Sequence, residues 1–487
     1  MINFKEVYNI YSELTKEYFK GKGKEEIKDK SQYFTPIEEA ETLIEDINII
    51  KEEVVSILEP ACGNGILLIK LIEKIILKNN KVNTFIIDIY DIDIRLLNNV
   101  KYIMDNINIE GIKFIIRYFN EDFLNSIEIR QYNYIIMNPP YKKINNKDVP
   151  DGLKHFLYGQ PNLYHLFIAK TLDMLSDKGV LCIISPKNYL SGKYTEKLRR
   201  YIVDNFSITK IHTFNDRNKN FSNSITQEVC IVHITKSIVK NVILSYNDES
   251  KFIVEKSKIM LGEKSKIICT PRNTDDYKLI KMFEKFPVGT IGKDLSMRVG
   301  KVVQFRVKGR ETNLSDKNYK DLKNGIPLIV YRHISGSEIN YRTLDNKSKN
   351  NAVTLIDDGL NNSLLIKNKN YVLIRKNIDK KYDKLVHAVS YFSNLDSNKL
   401  AIDNGIIYLT NTDDSLSKDE VLGLQCILMS KQFDSYYRMI NSSHTINVYE
   451  LENMHFPNIE TIRDIGKNIV GNQISVEEAS KVFDIYL

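Results

Sequence analysis

Hydrophobic positions in the first half of the chain fall into short unbroken runs separated by helical spacings. Residues 54–58, 84–89, 134–137, 180–184 and 229–234 are nearly continuous apolar stretches, the pattern of strands buried on both faces. Between the first two, residues 66–78 place Leu68, Leu71, Ile72 and Ile75 along one helical stripe, and residues 164–175 carry a second helical pattern. Such alternation predicts a mainly parallel, doubly wound α/β sheet. Ahead of it, residues 1–22 mix charges with Phe4, Val7, Ile10 and Leu14, an amphipathic helix and not a signal peptide.

Past about residue 245 the pattern changes. Strands shorten, polar turns multiply at 345–351 and 367–370, and helical periodicity returns only at 418–439. The 487 residues are enough for two or three cores. The expected organisation is therefore a first domain over 1–245 and a second, mixed α+β domain over 246–487, joined through 236–275. No apolar run reaches the roughly 18 residues of a membrane span, so a cytoplasmic protein without a membrane partner is expected. Cys62, Cys182, Cys230, Cys269 and Cys426 form no CxxC pair and have no His at metal spacing, which points to reduced thiols and no metal. A net charge of +7 permits a polyanionic partner without demanding one.

The candidate chemistry sits at strand ends. Asn138, Pro139, Pro140 and Tyr141 close the strand at 134–137, where two prolines remove ladder donors and fix the backbone. That leaves an amide, a proline carbonyl and an aromatic ring. An amino group on a flat ring could use all three, two as acceptors and one for stacking. Upstream, Glu59, Pro60, Ala61, Cys62, Gly63, Asn64 and Gly65 follow the first strand and open a helix, and their glycines let the backbone pass close to a ligand. Asp91 and Ile92 end the second strand, about 26 residues beyond Gly65, where a carboxylate can accept ribose hydroxyls. Asp122 and Phe123 follow a third apolar stretch, 114–116, where an acid could take an adenine amino group while the ring packs on the base. Acids at successive strand ends together point to a nucleoside-like cofactor.

These motifs, in this order, resemble the TaqI-like γ class of S-adenosylmethionine-dependent amino-group DNA methyltransferases. Gln32-Tyr33-Phe34-Thr35-Pro36 is similar to the N-terminal cofactor segment of that class, with Tyr33 and Thr35 implied as cofactor contacts. Residues 59–65 resemble its Gly-rich motif, Asp91 its ribose-binding acid, Asp122-Phe123 its adenine contact and Asn138-Pro139-Pro140-Tyr141 its catalytic motif. Asn162-Leu163-Tyr164 and residues 179–189 look like later motifs, and Phe221 resembles an aromatic that stacks, with Tyr141, on the flipped base. Residues 298–303 and 441–457 look like recognition-domain segments. The resemblance implies a Rossmann-like methyltransferase domain, a C-terminal target-recognition domain and S-adenosyl-L-methionine as cofactor. Its implied partner is double-stranded DNA, bound by a monomer that becomes nucleoid-associated on binding. A cognate restriction endonuclease encoded nearby is compatible with it, as is a solitary enzyme.

The residues fit that chemistry on their own terms. The Asn138 side-chain oxygen and the Pro139 carbonyl can each accept one N–H of an adenine amino group and stabilise the charge that develops there. Residues 141–161, with Lys142, Lys143 and Lys147, read as a loop of about twenty residues that either closes on the nucleotide or is merely solvated. Basic and aromatic residues interleave at 367–384, and Arg298, Lys301, Arg306, Lys308 and Arg310 form a second basic set suited to DNA. N4-cytosine methylation is the nearest alternative, although Ser more often takes the place of Asn138 in that group. Protein-glutamine or RNA methylation and a non-enzymatic DNA-binding subunit are more distant, and so few residues precede Tyr33 that a fused nuclease is not expected.

Overall fold

The computed structural model describes residues 4–20, 34–127, 130–214, 228–247, 250–304, 314–335, 338–339, 341, 353–356, 362–378, 384–412, 415–441, 443–472 and 474–487. The chain divides into two compact units, Met1–Asn273 and Thr274–Leu487.

In the first unit a nine-stranded sheet has the order β3-β2-β1-β4-β5-β7-β6-β8-β9. Its strands are β1 (Val54–Glu59), β2 (Thr84–Tyr90), β3 (Lys113–Phe119), β4 (Tyr132–Met137), β5 (Leu175–Pro186), β6 (Ser207–Thr213), β7 (Val229–Thr235), β8 (Asn241–Tyr246) and β9 (Lys251–Glu255). β3, β2, β1, β4 and β5 are parallel, and β7 runs antiparallel between β5 and β6. Its helices are α1 (Phe4–Phe19), α2 (Ile37–Ile44), α3 (Ile66–Lys78), α4 (Ile94–Asp105), α5 (Leu163–Leu172) and α6 (Glu196–Asn205). The stripe expected on 66–78 is buried in α3, together with most of the residues around it. From β1 the chain moves to β2 and β3 on one side, then returns to β4 and β5 on the other. The carboxyl ends of β1 and β4 therefore face a topological switch point, where open α/β sheets leave a crevice.

The sheet continues past the boundary expected at residue 245. β8 pairs in parallel with β6, and β9 pairs antiparallel with β8. The expected 236–275 connection thus carries two strands of the main sheet, and the compact unit runs to Asn273. The sequence disguised this because β6 spells Ser-Ile-Thr-Lys-Ile-His-Thr, which looks polar although it is a core strand. Lys210 is buried there, donates to the Thr42 carbonyl at 2.9 Å and forms an ion pair with Asp46 Oδ2 at 2.9 Å. His212 Nδ1 lies 3.0 Å from Ser245 Oγ on β8.

In the second unit the four-stranded sheet and the five-stranded sheet are built from strands of two to six residues. We number these β12 (Leu295–Val299), β13 (Leu314–Ser315), β14 (Gly325–Ile329), β15 (Thr354–Ile356), β16 (Leu365–Lys367), β17 (Asn370–Arg375), β18 (Ala388–Phe392), β19 (Lys399–Ile402) and β20 (Ile406–Asn411), after a small hairpin β10 (Met260–Leu261) and β11 (Ile267–Ile268) in the first unit. The orders are β12-β20-β17-β18 and β13-β15-β14-β19-β16. The helical pattern at 418–439 is two helices, α8 (Lys418–Met429) and α9 (Lys431–Arg438), following α7 (Thr274–Phe283). Ser430 separates them with an extended ψ of 150° and caps the second by accepting from Phe433 N. Ser417 and Glu420 form a capping box at the start of α8. Gly423 of α8 and Gly466 of a later helix, Ile459–Lys467, allow backbones to touch; a Cβ on Gly423 would run into the Ile462 carbonyl.

Candidate active site

The turn after β1 is shaped by its glycines and pinned by β2. Gly63 and Gly65 have φ of 53° and 81°, values that L side chains rarely adopt. Cys62 N donates to the Tyr90 carbonyl, and Gly63 N donates to Asp91 Oδ2, each at 3.0 Å. The other Asp91 oxygen accepts from Asp93 N at 2.8 Å. The Cys62 thiol also donates to Oδ2 at 3.8 Å, so it is Oδ1 that keeps a second lone pair for a ligand hydroxyl. Burial raises the Asp91 pKa, and the two backbone bonds work against that rise.

A second turn follows β3. Asp122 Oδ1 accepts from Leu124 N at 3.0 Å and holds a short turn (Phe123–Asn125) that buries the Phe123 ring. From α5, Lys170 Nζ donates to the carbonyls of Phe123 and Ser126 at 2.5 and 2.7 Å, and lies 4.7 Å from the centre of the Phe123 ring. Its pKa is pushed down to about 8 by burial. Sequence gave no signal for Lys170, because a lysine on a helix ordinarily reads as solvated.

At the end of β4 the polar groups bond to one another. Asn138 Nδ2 donates to Thr35 Oγ1 at 3.0 Å, across 103 positions of chain. The Tyr141 hydroxyl donates to Asn138 Oδ1 at 2.7 Å and also approaches the Ile184 carbonyl at 3.2 Å. The half-buried Tyr141 ring packs edge-on to Tyr164 at 6.0 Å, and Tyr164 is itself buried. Burial pushes the Tyr141 hydroxyl well up, so it stays a donor at neutral pH.

One cavity of about 200 Å³ joins these corners. Of the residues expected at the site, Thr35, Pro60, Ala61, Cys62, Gly63, Asp91, Ile92, Asp122, Phe123, Asn138 and Pro140 line it. Glu59, Gly65, Pro139 and Tyr141 do not, while Tyr33 and Phe221 lie outside the described residues. Tyr11, Leu96 and Phe167 are among the further residues of the wall. Of these, Tyr11 continues the apolar stripe of α1, the one available hint. Glu59 is fully buried, neither of its carboxyl oxygens has a hydrogen-bond partner, and burial holds its pKa well up. Neither Glu59 nor Asp91 has a cationic partner among the described residues.

The loop at 141–161 is more ordered than its length suggested. Lys142 O accepts from Leu163 N at 2.8 Å, Ile144 N donates to the Pro161 carbonyl at 3.2 Å, and two 3₁₀ turns (Asn146–Asp148 and Asp151–Phe156) fill the interior. Val149 and Phe156 anchor it in the core, while Lys142, Lys143 and Lys147 remain exposed.

Residues 64–221 match the family model described as Eco57I restriction-modification methylase. The chain is 26% identical over 406 residues to the type II methyltransferase M.PstI of Providencia stuartii, covering 78% of each protein. It is 26% identical over 365 residues to M.BsuBI of Bacillus subtilis, covering 72% of this chain and 70% of that one. Among solved structures, the type IIL restriction-modification enzyme MmeI, determined in complex with DNA, aligns with 99% of this chain and 74% of its own at a TM-score of 0.52 and 12% identity, a likeness of fold. Over residues 64–221 the chain is thus similar to Eco57I-type restriction-modification methylases.

Proposed function

We propose that this protein is a site-specific DNA methyltransferase of the restriction-modification type that uses S-adenosyl-L-methionine and modifies the N6 amino group of adenine. The observation that carries the reading is the oriented Asn138 amide at the end of β4, on the wall of the same cavity that Asp91 lines from β2. The cavity fits the cofactor by its own chemistry. Asp91, a half-buried acid on the cavity wall without a cationic partner among the described residues, suits a ligand carrying positive charge, and the spare lone pair on its Oδ1 suits a ribose hydroxyl. When bound, S-adenosyl-L-methionine supplies a methyl group already activated on a sulfonium.

The residues of this chain bind and orient. Asp91 takes the ribose hydroxyls, and Phe123 packs on the adenine of the cofactor while Asp122 faces its amino group. Asn138 Oδ1 and the Pro139 carbonyl accept the two hydrogens of the target amino group and so stabilise the positive charge that forms on its nitrogen. Thr35, by accepting from Asn138 Nδ2, fixes which end of the amide faces the substrate. Flipping the base out of the duplex costs a few kcal/mol, and Tyr141 and Phe221 are assigned to stacking against it. The second unit serves as the target-recognition domain, and the enzyme works as a monomer on DNA, with or without a companion endonuclease. No helix among the described residues is long and apolar enough to cross a membrane, in keeping with work in the cytoplasm on the nucleoid.

The test is transfer of labelled methyl groups from S-adenosyl-L-methionine to duplex DNA of unmethylated hosts. Wild type is expected to label it, and Asn138→Ala to lose about 10²–10³ in rate while still binding cofactor. Absence of wild-type transfer to any such DNA would falsify the proposal.

A further inference from the structure

Along one edge of the four-stranded sheet in the second unit, four chain segments are tied together through their backbones. Beyond β17, Lys376 N donates to the Gly405 carbonyl at 2.9 Å, Ile446 N donates to the Lys376 carbonyl at 2.8 Å, and Ile378 N donates to the His444 carbonyl at 2.9 Å. Gly300 N donates to the Ile406 carbonyl at 2.8 Å, and Asn404 N donates to the Val302 carbonyl at 2.9 Å. The approach is so close that a Cβ on Gly300 would run into the Asp403 carbonyl. The result is a stiff platform made of strand ends.

What this platform shows to solvent is selective. Lys301, Asn377, Asn404, Ser443 and Asn447 are exposed, and Lys376, His444 and Thr445 are half-exposed. Two acids close to it among the described residues face inward. Asp403 accepts from Gln304 Nε2 at 3.0 Å and from Gly405 N at 2.8 Å, and Glu450 is buried. Glu450 in turn anchors the exposed loop: its Oε2 accepts from Tyr437 OH at 2.8 Å and from Asn441 Nδ2 at 2.6 Å, and Asn441 Oδ1 accepts from Ser443 N at 2.7 Å. A buried carboxylate and its hydrogen-bonded network cost desolvation, and what they secure is a single geometry. Thr445 Oγ1 donates to Asn377 Oδ1 at 3.0 Å, so the Asn377 amide is held one way round.

We infer that this edge is the surface that reads the duplex, with Lys376 on a phosphate and Asn377 and Asn404 at base edges. An exposed amide can pair with a base edge through both its donor and its acceptor, a contact that discriminates one base from another. That of Asn377 is oriented by Thr445, and that of Asn404 stands on a backbone pinned to Val302. A neighbouring lysine positions the protein without reading sequence. By facing inward, Asp403 and Glu450 keep their charge away from a bound phosphate. This inference rests on the DNA methyltransferase reading above.

The test uses the full-length protein, with methylated positions mapped by sequencing DNA from an expressing host that has no other methylation. Asn377→Ala and Asn404→Ala are each expected to relax one position of the methylated sequence, lowering discrimination there about 10–100-fold. Lys376→Ala is expected to leave the sequence unchanged, to weaken binding to target and scrambled duplexes equally, and to reduce the log–log salt slope by about 0.9. Unchanged cofactor affinity and thermal midpoint show that each variant is folded. If wild type methylates a defined sequence and all three variants keep its sequence, its discrimination and its salt slope, the inference is overturned while the functional reading stands. If wild type methylates no DNA, both fall.

Discussion

Two of the strand ends that line the cavity, those of β2 and β4, commit their polar groups in opposite ways. At the end of β2, Asp91 uses both oxygens to hold main-chain N–H groups, those of Gly63 and Asp93. At the end of β4, Asn138 uses both ends of its amide on side-chain hydroxyls, those of Thr35 and Tyr141. A carboxylate tied to the backbone can move only if the turn moves. An amide tied to hydroxyls can share its oxygen as soon as those hydroxyls rotate, and Tyr141 already has the Ile184 carbonyl as a second acceptor. The comparison separates a fixed binding corner from a corner whose hydrogen bonds can be exchanged with a substrate.

The largest expected effect comes from breaking the fixed corner. Asp91→Ala removes charge-assisted bonds from Gly63 N and Asp93 N along with the ligand contacts, each such bond contributing about 1.5–3 kcal/mol. Cofactor affinity measured by calorimetry is expected to fall about 100-fold, with a lower thermal midpoint. Retained affinity would mean that the turn holds itself. A smaller effect is expected at the exchangeable corner. Thr35→Val deletes the acceptor that orients Asn138 and is expected to lower kcat about tenfold, in line with the loss of roughly one neutral hydrogen bond. Cofactor affinity should change little, and Thr35→Ser should restore the rate. A Thr35→Val enzyme that loses affinity but keeps kcat would place Thr35 in the binding corner instead.

The smallest effect concerns Glu39 of α2, whose charge is felt at Tyr141. Burial pushes its carboxyl from the ordinary 4.5 up to about 8, so the folded chain holds a proton that the unfolded chain has already released. The contribution of this group to stability is full below pH 4.5 and is lost as pH rises through 8. Urea unfolding between those values is expected to show stability falling with pH, and Glu39→Gln to flatten that slope. Identical slopes for the two proteins would show that Glu39 is ionised in the folded state.

Much of the first unit could be read from its letters. β1, β2, β4 and β7 are apolar runs, and the Gly63 turn and Asp91 stand at spacings that a βαβ unit imposes. What could not be read depends on partners distant in sequence. β6 was hidden because Lys210 and His212 are core residues, compensated by Asp46 and Ser245. Thr35 was expected to touch cofactor, but nothing local could reveal its bond to Asn138. Lys170 has the same explanation, since its acceptors belong to a turn more than forty residues away. In the second unit the strands are too short for periodicity to register. Their pairings include β14 running parallel to β19 across some seventy residues, which no local pattern encodes. The platform inferred to read DNA joins four such separated segments. Three fall within 298–303, 367–384 and 441–457, which the sequence marked, but their assembly with residues 404–406 depends on backbone bonds that no local pattern encodes.

The most direct measurement is nucleoside analysis by mass spectrometry of DNA from a methylation-free host expressing either wild type or Asn138→Ala. N6-methyladenine is expected with wild type and should be absent with the variant. N4-methylcytosine in its place would contradict the assignment of the target base, and no methylated base at all would contradict the function assigned to Asn138 and its cavity.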